Sequence, residues 1–199
     1  MSDFGLFARL YDPLIELPES LGLRRIRREV LGGLQGDVLE LGVGTGRNLS
    51  LYPPTVGRLS GIDPDDVMLS QAHQRARKAS CPVELVLASA EELPFEDGSF
   101  DAVVSTLVFC TVAHPPKALE EVRRVLRGGG EFRLLEHVKT EQEPMGWLQE
   151  QVTPLWKYVA GGCHLDRDTL TAVREAGFEV ERVKRHLRCL GLGIFARNP

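Results

Sequence analysis

The sequence has few cysteines and no long apolar run, and both deficits limit what the protein can be. Its four cysteines are widely separated: Cys81, Cys110, Cys163 and Cys189. None of them forms a CxxC pair or a zinc-type cluster with histidine, so neither a disulfide framework nor a metal site is expected. Charged residues and a proline interrupt the first 20 residues, which argues against a signal peptide or a transmembrane segment. The expected location is the reducing cytoplasm.

An excess of positive charge is also absent. The chain has 28 acidic and 24 basic residues and a formal net charge of −4, which predicts no bulk attraction to nucleic acid. With 199 residues, 43% of them hydrophobic, the chain is long enough to build a substantial core. These totals favour a single globular domain.

Short apolar runs alternate with helical patterns from residue 37 onward. Examples are "DVLELGV" and "FDAVVST", the second of which precedes the helical pattern "PPKALEEVRRVL". Such alternation predicts a parallel sheet with helices on both faces. The last two apolar segments, "FEVERVKRHLR" and "LGLGIFARN", are close enough to form a hairpin. The predicted architecture has five parallel strands and a terminal pair.

Residues 20–34 are predicted to form an amphipathic helix. Four apolar residues recur at three- and four-residue spacing: Leu23, Ile26, Val30 and Leu34. Four arginines are assigned to the opposite face: Arg24, Arg25, Arg27 and Arg28. This basic face is interpreted either as an ordinary solvated surface or as a surface that lies on anionic lipid.

The segment "VLELGVGTGRN" places three glycines directly after an apolar run. In open α/β sheets, ligands bind beyond the carboxyl ends of the strands. The spacing is GxGxG, and Arg47 stands where the dinucleotide fingerprint has its last glycine, which argues against NAD and FAD. Asp63, which ends the second apolar run, could accept both hydroxyls of a ribose or could cap the following helix.

Four segments resemble, in order, the motifs of class I S-adenosylmethionine-dependent methyltransferases: "VLELGVGTGRN", "GIDPDDVMLSQA", "ASAEELPFEDGSFDAVVSTLVF" and "ALEEVRRVLRGGGEF". The resemblance implies a Rossmann-like α/β fold with a seven-stranded, mostly parallel sheet, an antiparallel final strand and helices on both faces. It also implies S-adenosylmethionine as cofactor and S-adenosylhomocysteine as product. We expect one methyltransferase domain over 1–199, with a helical cap (1–35), a cofactor-binding core (36–137) and substrate-side helices and closing strands (138–199).

The resemblance further implies the residues that bind the cofactor. Its methionine part would lie over the glycine loop, whose bare backbone allows close approach, and Asp63 would bind the ribose. Met68 would contact the adenine or belong to the core, and Ser89 stands where many members of the family have aspartate. The implied cofactor-binding residues are Tyr11, Glu40, Gly42, Val43, Gly44, Gly46, Asn48, Asp63, Pro64, Met68, Ser89, Ala90, Glu91, Thr106 and Leu107.

A general base is the remaining catalytic question, because the sulfonium methyl group otherwise needs mainly an in-line nucleophile. His114 follows the fourth strand and His137 ends the fifth, which makes both candidate bases. Each could equally be a packing or hydrogen-bonding histidine. Cys110 is interpreted as a small buried residue and not as a nucleophile.

The C-terminal and N-terminal segments resemble methyltransferases that use different methyl acceptors. "LLEHV" and "GGCHLDRDT" resemble the branch that includes alkyl-thiol S-methyltransferases, which implies a small or lipophilic thiol. The aromatic residues Trp147, Trp156 and Tyr158 could line its approach or cover the end of the sheet. "FARLYDPLIELP" resembles the cap of phospholipid and quinone methyltransferases, where a tyrosine like Tyr11 closes over the cofactor.

The second resemblance keeps phosphatidylethanolamine or a quinone as the alternative acceptor, with peripheral membrane contact through residues 20–34. A non-catalytic module that only binds S-adenosylmethionine is the alternative of another class. A nucleic-acid acceptor is not expected, because "TLVF" follows the fourth strand in place of the Asn/Asp-Pro-Pro-aromatic tetrapeptide.

Overall fold

One sheet of seven strands organises the chain. The computed structural model describes residues 4–137, 147, 149, 151–153, 162–164, 167–186 and 191–199. The strands are β1 (Gly36–Leu41), β2 (Val56–Asp63), β3 (Val83–Leu87), β4 (Phe100–Thr106), β5 (Leu126–His137), β6 (Glu179–His186) and β7 (Gly191–Arg197). Their order is β3-β2-β1-β4-β5-β7-β6, with parallel pairing from β3 to β5 and β7 antiparallel to both neighbours. The predicted α/β fold is confirmed.

Helices cover both faces of this sheet. Those with described bounds are α1 (Phe4–Pro18), α2 (Arg24–Leu31), α3 (Asp66–Ala76), α4 (Pro115–Val125) and α5 (Thr169–Glu175). The carboxylate of Asp65 accepts hydrogen bonds from the backbone N–H groups of Val67 and Met68 and so caps α3. The helix-capping alternative considered for Asp63 therefore belongs to Asp65.

The core divides along the two faces of the sheet because side chains alternate along each strand. Leu39 and Val103 belong to the cluster beneath α4 and α5, whereas Val38 and Val104 belong to the cluster on the α3 side. Strands buried on both faces are typical of parallel sheets, and their carboxyl ends meet at one edge. The glycine loop, Asp63 and the end of β4 lie at that edge.

The helix predicted over residues 20–34 is shorter than expected. A π-helical turn over Glu19–Leu23, in which Gly22 has φ 130°, separates α1 from α2. The predicted apolar face is buried, but Arg27 is only 3% exposed and does not lie on the basic face. Arg27 follows Leu23 by four positions and precedes Val30 by three, so it shares their side of the helix.

Candidate functional site

The three glycines of the loop after β1 serve different purposes. All of them have left-handed backbone angles, with φ 57° at Gly42, 55° at Gly44 and 83° at Gly46. A Cβ at Gly42 would lie 2.5 Å from Cγ2 of Val108, and a Cβ at Gly46 would lie 2.8 Å from Cδ1 of Leu49. At Gly44 the nearest such atom is 3.9 Å away. The protein's own packing thus restricts Gly42 and Gly46 to glycine, whereas a Cβ at Gly44 would make only an ordinary van der Waals contact.

Asp63, the last residue of β2, connects the glycine loop to the start of α3. Its Oδ2 accepts a hydrogen bond from the backbone N–H of Gly44 at 2.9 Å, and its Oδ1 accepts one from Asp65 at 2.9 Å. The side chain is 8% exposed, and burial raises the pKa of its carboxyl group. Each oxygen retains acceptor capacity, so the geometry fits a ribose with two adjacent hydroxyls.

A buried polar network lies beneath the glycine loop. Oε1 of Glu40 accepts a hydrogen bond from Nδ2 of Asn48 at 2.7 Å, and Oε2 accepts one from the Tyr52 hydroxyl at 3.0 Å. Burial raises the pKa of Glu40 to about 7. Nδ2 of Asn48 also donates to Oγ1 of Thr106 at 2.9 Å. This network fixes the loop after β1 against the end of β4.

Arg27, which the helical pattern assigned to the basic face and not to the site, extends the same network into α2. Its Nε donates to Glu19 at 2.8 Å, and its Nη1 donates to Asn48 at 3.1 Å and to Thr106 at 2.8 Å. The spacing between Leu23 and Val30 was the available signal, because a charge on an apolar helix face must find buried partners. A cation therefore stands beside the glycine loop.

These groups surround a small polar cavity of about 30 Å³. Its lining consists of Tyr11, Arg27, Glu40, Gly42, Val43, Gly44, Thr45, Arg47, Asn48 and Thr106. Burial raises the pKa of the Tyr11 hydroxyl, which keeps that hydroxyl protonated at neutral pH. The structure thus brings together seven of the residues implied from sequence. A guanidinium and backbone N–H groups suit the carboxylate end of an amino acid such as methionine.

The first helix closes over the glycine loop through Asp12. Its carboxylate accepts hydrogen bonds from Thr45 at 2.8 Å, from Arg47 at 3.0 Å and from Arg75. Burial opposes ionisation of Asp12, but these hydrogen bonds outweigh it and lower the pKa. Arg47, which the sequence analysis used only as evidence against NAD, also donates to Glu16 at 2.9 Å. It therefore joins the loop to α1.

The residues implied for the adenine lie at the ends of β2 and β3, outside the cavity lining. Pro64 and Ser89 are exposed, whereas Met68 (8% exposed) and Ala90 are buried. The backbone N–H of Glu91 donates to the Ser89 hydroxyl at 3.2 Å, which forms a local turn. Their contacts with adenine stay predictions, and the burial of Met68 fits its alternative as a core residue.

The two candidate bases occupy different positions. His114 is exposed and directly precedes α4, and its backbone N–H donates to Oε1 of Glu91 at 2.9 Å. His137 ends β5 opposite Gly191, and its side chain lies outside the described residues. Trp156 and Tyr158 also lie outside them, and Trp147 is 57% exposed. The proposed proton transfer therefore stays a prediction for both histidines.

Residues 107–112, here called the β4 turn, follow Thr106. Leu107 has φ 62°, the one left-handed non-glycine backbone among the described residues, and such a conformation costs about 1–3 kcal/mol. Its N–H donates to the carbonyl of Leu135 at 2.7 Å. Cys110 is 2% exposed, and a hydrogen bond with the Cys163 thiol together with burial raises its pKa. Its predicted burial is confirmed.

The described part of the chain contains no group of three or more His, Cys, Asp or Glu residues that could hold a metal ion. No helix within it is long and apolar enough to cross a membrane.

Several known proteins are similar to this chain in sequence. A model of the methyltransferase domain matches residues 39–134. The thiol S-methyltransferase TMT1B of Homo sapiens is 37% identical over 172 residues, which cover 82% of the chain and 70% of that protein. The phosphatidylethanolamine N-methyltransferase of Cereibacter sphaeroides is 37% identical over 117 residues, 58% of the chain and 57% of that protein.

Solved structures show the same fold. The crystal structure of a SAM-dependent methyltransferase from Aquifex aeolicus superposes with a TM-score of 0.68 at 23% identity, over 92% of this chain and 94% of that one. The resemblance noted in the sequence motifs is thereby confirmed, and with it S-adenosylmethionine as the cofactor. The chain belongs to the S-adenosylmethionine-dependent methyltransferases.

Proposed function

We propose that this methyltransferase acts on a small lipophilic thiol. The observation that carries this proposal is the similarity to a thiol S-methyltransferase over 82% of the chain. A single domain over residues 1–199 and a cytoplasmic location are parts of the same proposal. The direct pairing of β5 with β7 supports the single domain. Cys81 and Cys110, which form no disulfide within the described part of the chain, support the location.

The residues at the carboxyl ends of β1, β2 and β4 would hold the cofactor. Asp63 would accept the ribose hydroxyls, Gly44 would leave room for the adjoining chain, and Arg27 and Tyr11 would face the methionine carboxylate. When bound, S-adenosylmethionine supplies an electrophilic methyl group on a sulfonium. The protein then has to orient the acceptor and exclude water, which accounts for much of the catalysis in such transfers.

A thiol acceptor needs little help with its proton, because its reference pKa is about 8.5. His137 at the end of β5, or His114 after β4, would accept that proton. The raised pKa of Cys110 keeps this buried thiol protonated at neutral pH. The protein's own cysteine would therefore not compete with the acceptor for the methyl group.

A phospholipid amine is the second candidate acceptor, with a quinone as a further alternative, and an exposed surface favours the phospholipid. Leu14, Leu17 and Leu21 are 64%, 66% and 74% exposed at helical spacing. Arg24, Arg25 and Arg28 follow them directly and are also exposed. Apolar side chains beside a basic cluster suit peripheral contact with anionic lipid, which would give access to phosphatidylethanolamine.

The test compares S-adenosylhomocysteine release with a short alkyl thiol and with phosphatidylethanolamine vesicles that contain phosphatidylglycerol. Turnover on the thiol alone supports the leading proposal. Turnover on vesicles alone replaces it with the phospholipid, and the Arg24→Gln/Arg25→Gln/Arg28→Gln variant should then lose that turnover at low salt. Leu87→Ser, which changes an exposed leucine on β3, is the matched control. Bound cofactor without turnover on either acceptor would favour a binding module.

A further inference from the structure

The backbone N–H groups of the β4 turn point to one buried carboxylate. Glu136 on β5 has 0% exposure, and its Oε1 accepts hydrogen bonds from Val108 at 3.0 Å and Phe109 at 3.1 Å. The hydroxyl of Ser105 donates to the same oxygen at 3.2 Å. Consecutive backbone N–H groups that converge on an anion make a strong, directional attachment. The donor side of the turn is thus fixed to β5.

The carbonyl groups of the same turn are fixed from a different part of the chain. Nη1 of Arg167 donates to the carbonyl of Phe109 and, at 2.7 Å, to that of Val112. The backbone N–H of His164 donates to the carbonyl of Cys110 at 2.9 Å. His164 and Arg167 therefore hold the carbonyl groups of the turn. A carboxylate thus binds the N–H groups of this short segment, and a guanidinium binds its carbonyl groups.

The β4 turn also touches the loop that holds the cofactor. The side chain of Val108 lies against Gly42, where even a methyl group would be 2.5 Å from Cγ2. Any shift of the turn therefore changes its fit to the glycine loop. The left-handed Leu107 costs free energy that the surrounding hydrogen bonds must offset.

We propose that Glu136 and Arg167 are positioning residues for methyl transfer, which act by fixing the β4 turn between the cofactor loop and the acceptor. This inference rests on the proposed function, since it takes the acceptor to lie beside the β4 turn. Glu136 sets the distance from the turn to the glycine loop. Arg167 sets the position of the turn's carbonyl groups, on the side where the methyl acceptor would lie. A displacement of 1 Å can cost about 100-fold in rate.

The test uses three variants of the full chain and one control. Glu136→Gln keeps the size and one acceptor oxygen but removes the charge, and we expect kcat to fall about 10- to 100-fold with S-adenosylhomocysteine affinity within about threefold. For Arg167→Met we expect the acceptor KM to rise at least about fivefold, because both carbonyl bonds are lost. Arg167→Lys should restore part of this loss, since an ammonium group can still donate to one carbonyl. Arg174→Met, an exposed change on α5, is the control.

Amide hydrogen exchange supplies a readout that does not depend on any acceptor. Exchange of the Val108 and Phe109 amides should accelerate in Glu136→Gln and stay unchanged in Arg174→Met. Kinetics equal to those of the control would overturn the proposal, as would losses of cofactor affinity and folded fraction in proportion to activity. If the wild type turns over neither acceptor, the proposed function fails, and exchange alone decides: acceleration confined to the β4 turn supports the attachment, and unchanged exchange overturns it.

Discussion

The proposed cofactor half of the site, which is the loop after β1 with Asp63, and the proposed acceptor half, which is the β4 turn, are assembled from the chain in different ways. In the cofactor half, Glu40, Asn48 and Asp63 fall within 24 consecutive positions, on β1, in the loop after β1 and at the end of β2. In the acceptor half, the β4 turn is held by Glu136 and Arg167, 28 and 58 residues away from the groups they contact. A sequence pattern can predict contacts between residues that are close in sequence, because their spacing is characteristic. It does not predict contacts between distant segments.

Arg27 is an exception to this contrast, because it contacts the cofactor half from a distant part of the sequence. Its removal should have the largest effect on stability. It belongs to the N-terminal helices but serves the cofactor half. Arg27→Met leaves the carboxylate of Glu19 buried without its cation, so the free energy of unfolding should fall by about 3–5 kcal/mol in denaturant titrations. The exposed change Arg28→Met should cost less than about 0.5 kcal/mol. Equal effects of the two variants would contradict the role of the network.

Adding Glu19→Met to Arg27→Met sharpens this prediction. If the cost comes from an uncompensated buried charge, the double variant should recover much of the lost stability. If the double variant recovers no stability, the loss in Arg27→Met comes from the hydrogen bonds to Asn48 and Thr106.

Asp63→Ala should have the next largest effect, confined to the cofactor half. It removes charge-assisted hydrogen bonds to the ribose, each worth about 1.5–3 kcal/mol, so S-adenosylhomocysteine affinity should fall at least about 100-fold in calorimetry. Asp65→Ala is the matched control, because it deletes the cap of α3 and costs about 1 kcal/mol of stability. An unchanged dissociation constant for Asp63→Ala would remove the ribose assignment.

The smallest effect is a pH dependence that Glu40 gives to the cofactor half. Its pKa is raised from 4.5 to about 7, so the unfolded chain releases this proton at lower pH than the folded protein does. Stability from the protonated carboxyl is complete below pH 4.5 and is lost as pH rises to about 7. The stability of Glu40→Gln relative to wild type should therefore rise across this window, by roughly 2–3 kcal/mol at most.

A substitution at an exposed carboxylate is the control for Glu40→Gln. Glu84→Gln on β3 is the control variant, measured in the same denaturant titrations between pH 5 and pH 8. A flat difference for Glu40→Gln would mean that the Glu40 carboxyl is ionised throughout this range.

Much of the fold and part of the site could be predicted from sequence for identifiable reasons. The strands could be predicted because they are short apolar runs bounded by turns, and the position of Asp63 could be predicted because it ends one of them. Arg27 and Glu136 could not, because a pattern-based prediction assigns charged residues to solvent unless a partner is known. Their partners are Glu19 on one side and backbone groups of the β4 turn on the other. The break at Gly22 depends on a backbone angle that the helical pattern does not reveal.

The contact between Gly42 and Val108 implies that the glycines of the loop would evolve differently if cofactor binding were lost. Two of the three glycines are retained by the fold itself, so a descendant that lost cofactor binding would still need them. Gly44 alone would be released from selection, and asparagine or aspartate would replace it first, since they tolerate its left-handed backbone. Size at position 42 should co-vary with size at position 108 across relatives. Among descendants that no longer bind the cofactor, replacement of glycine at position 44 would therefore mark the point at which binding was lost.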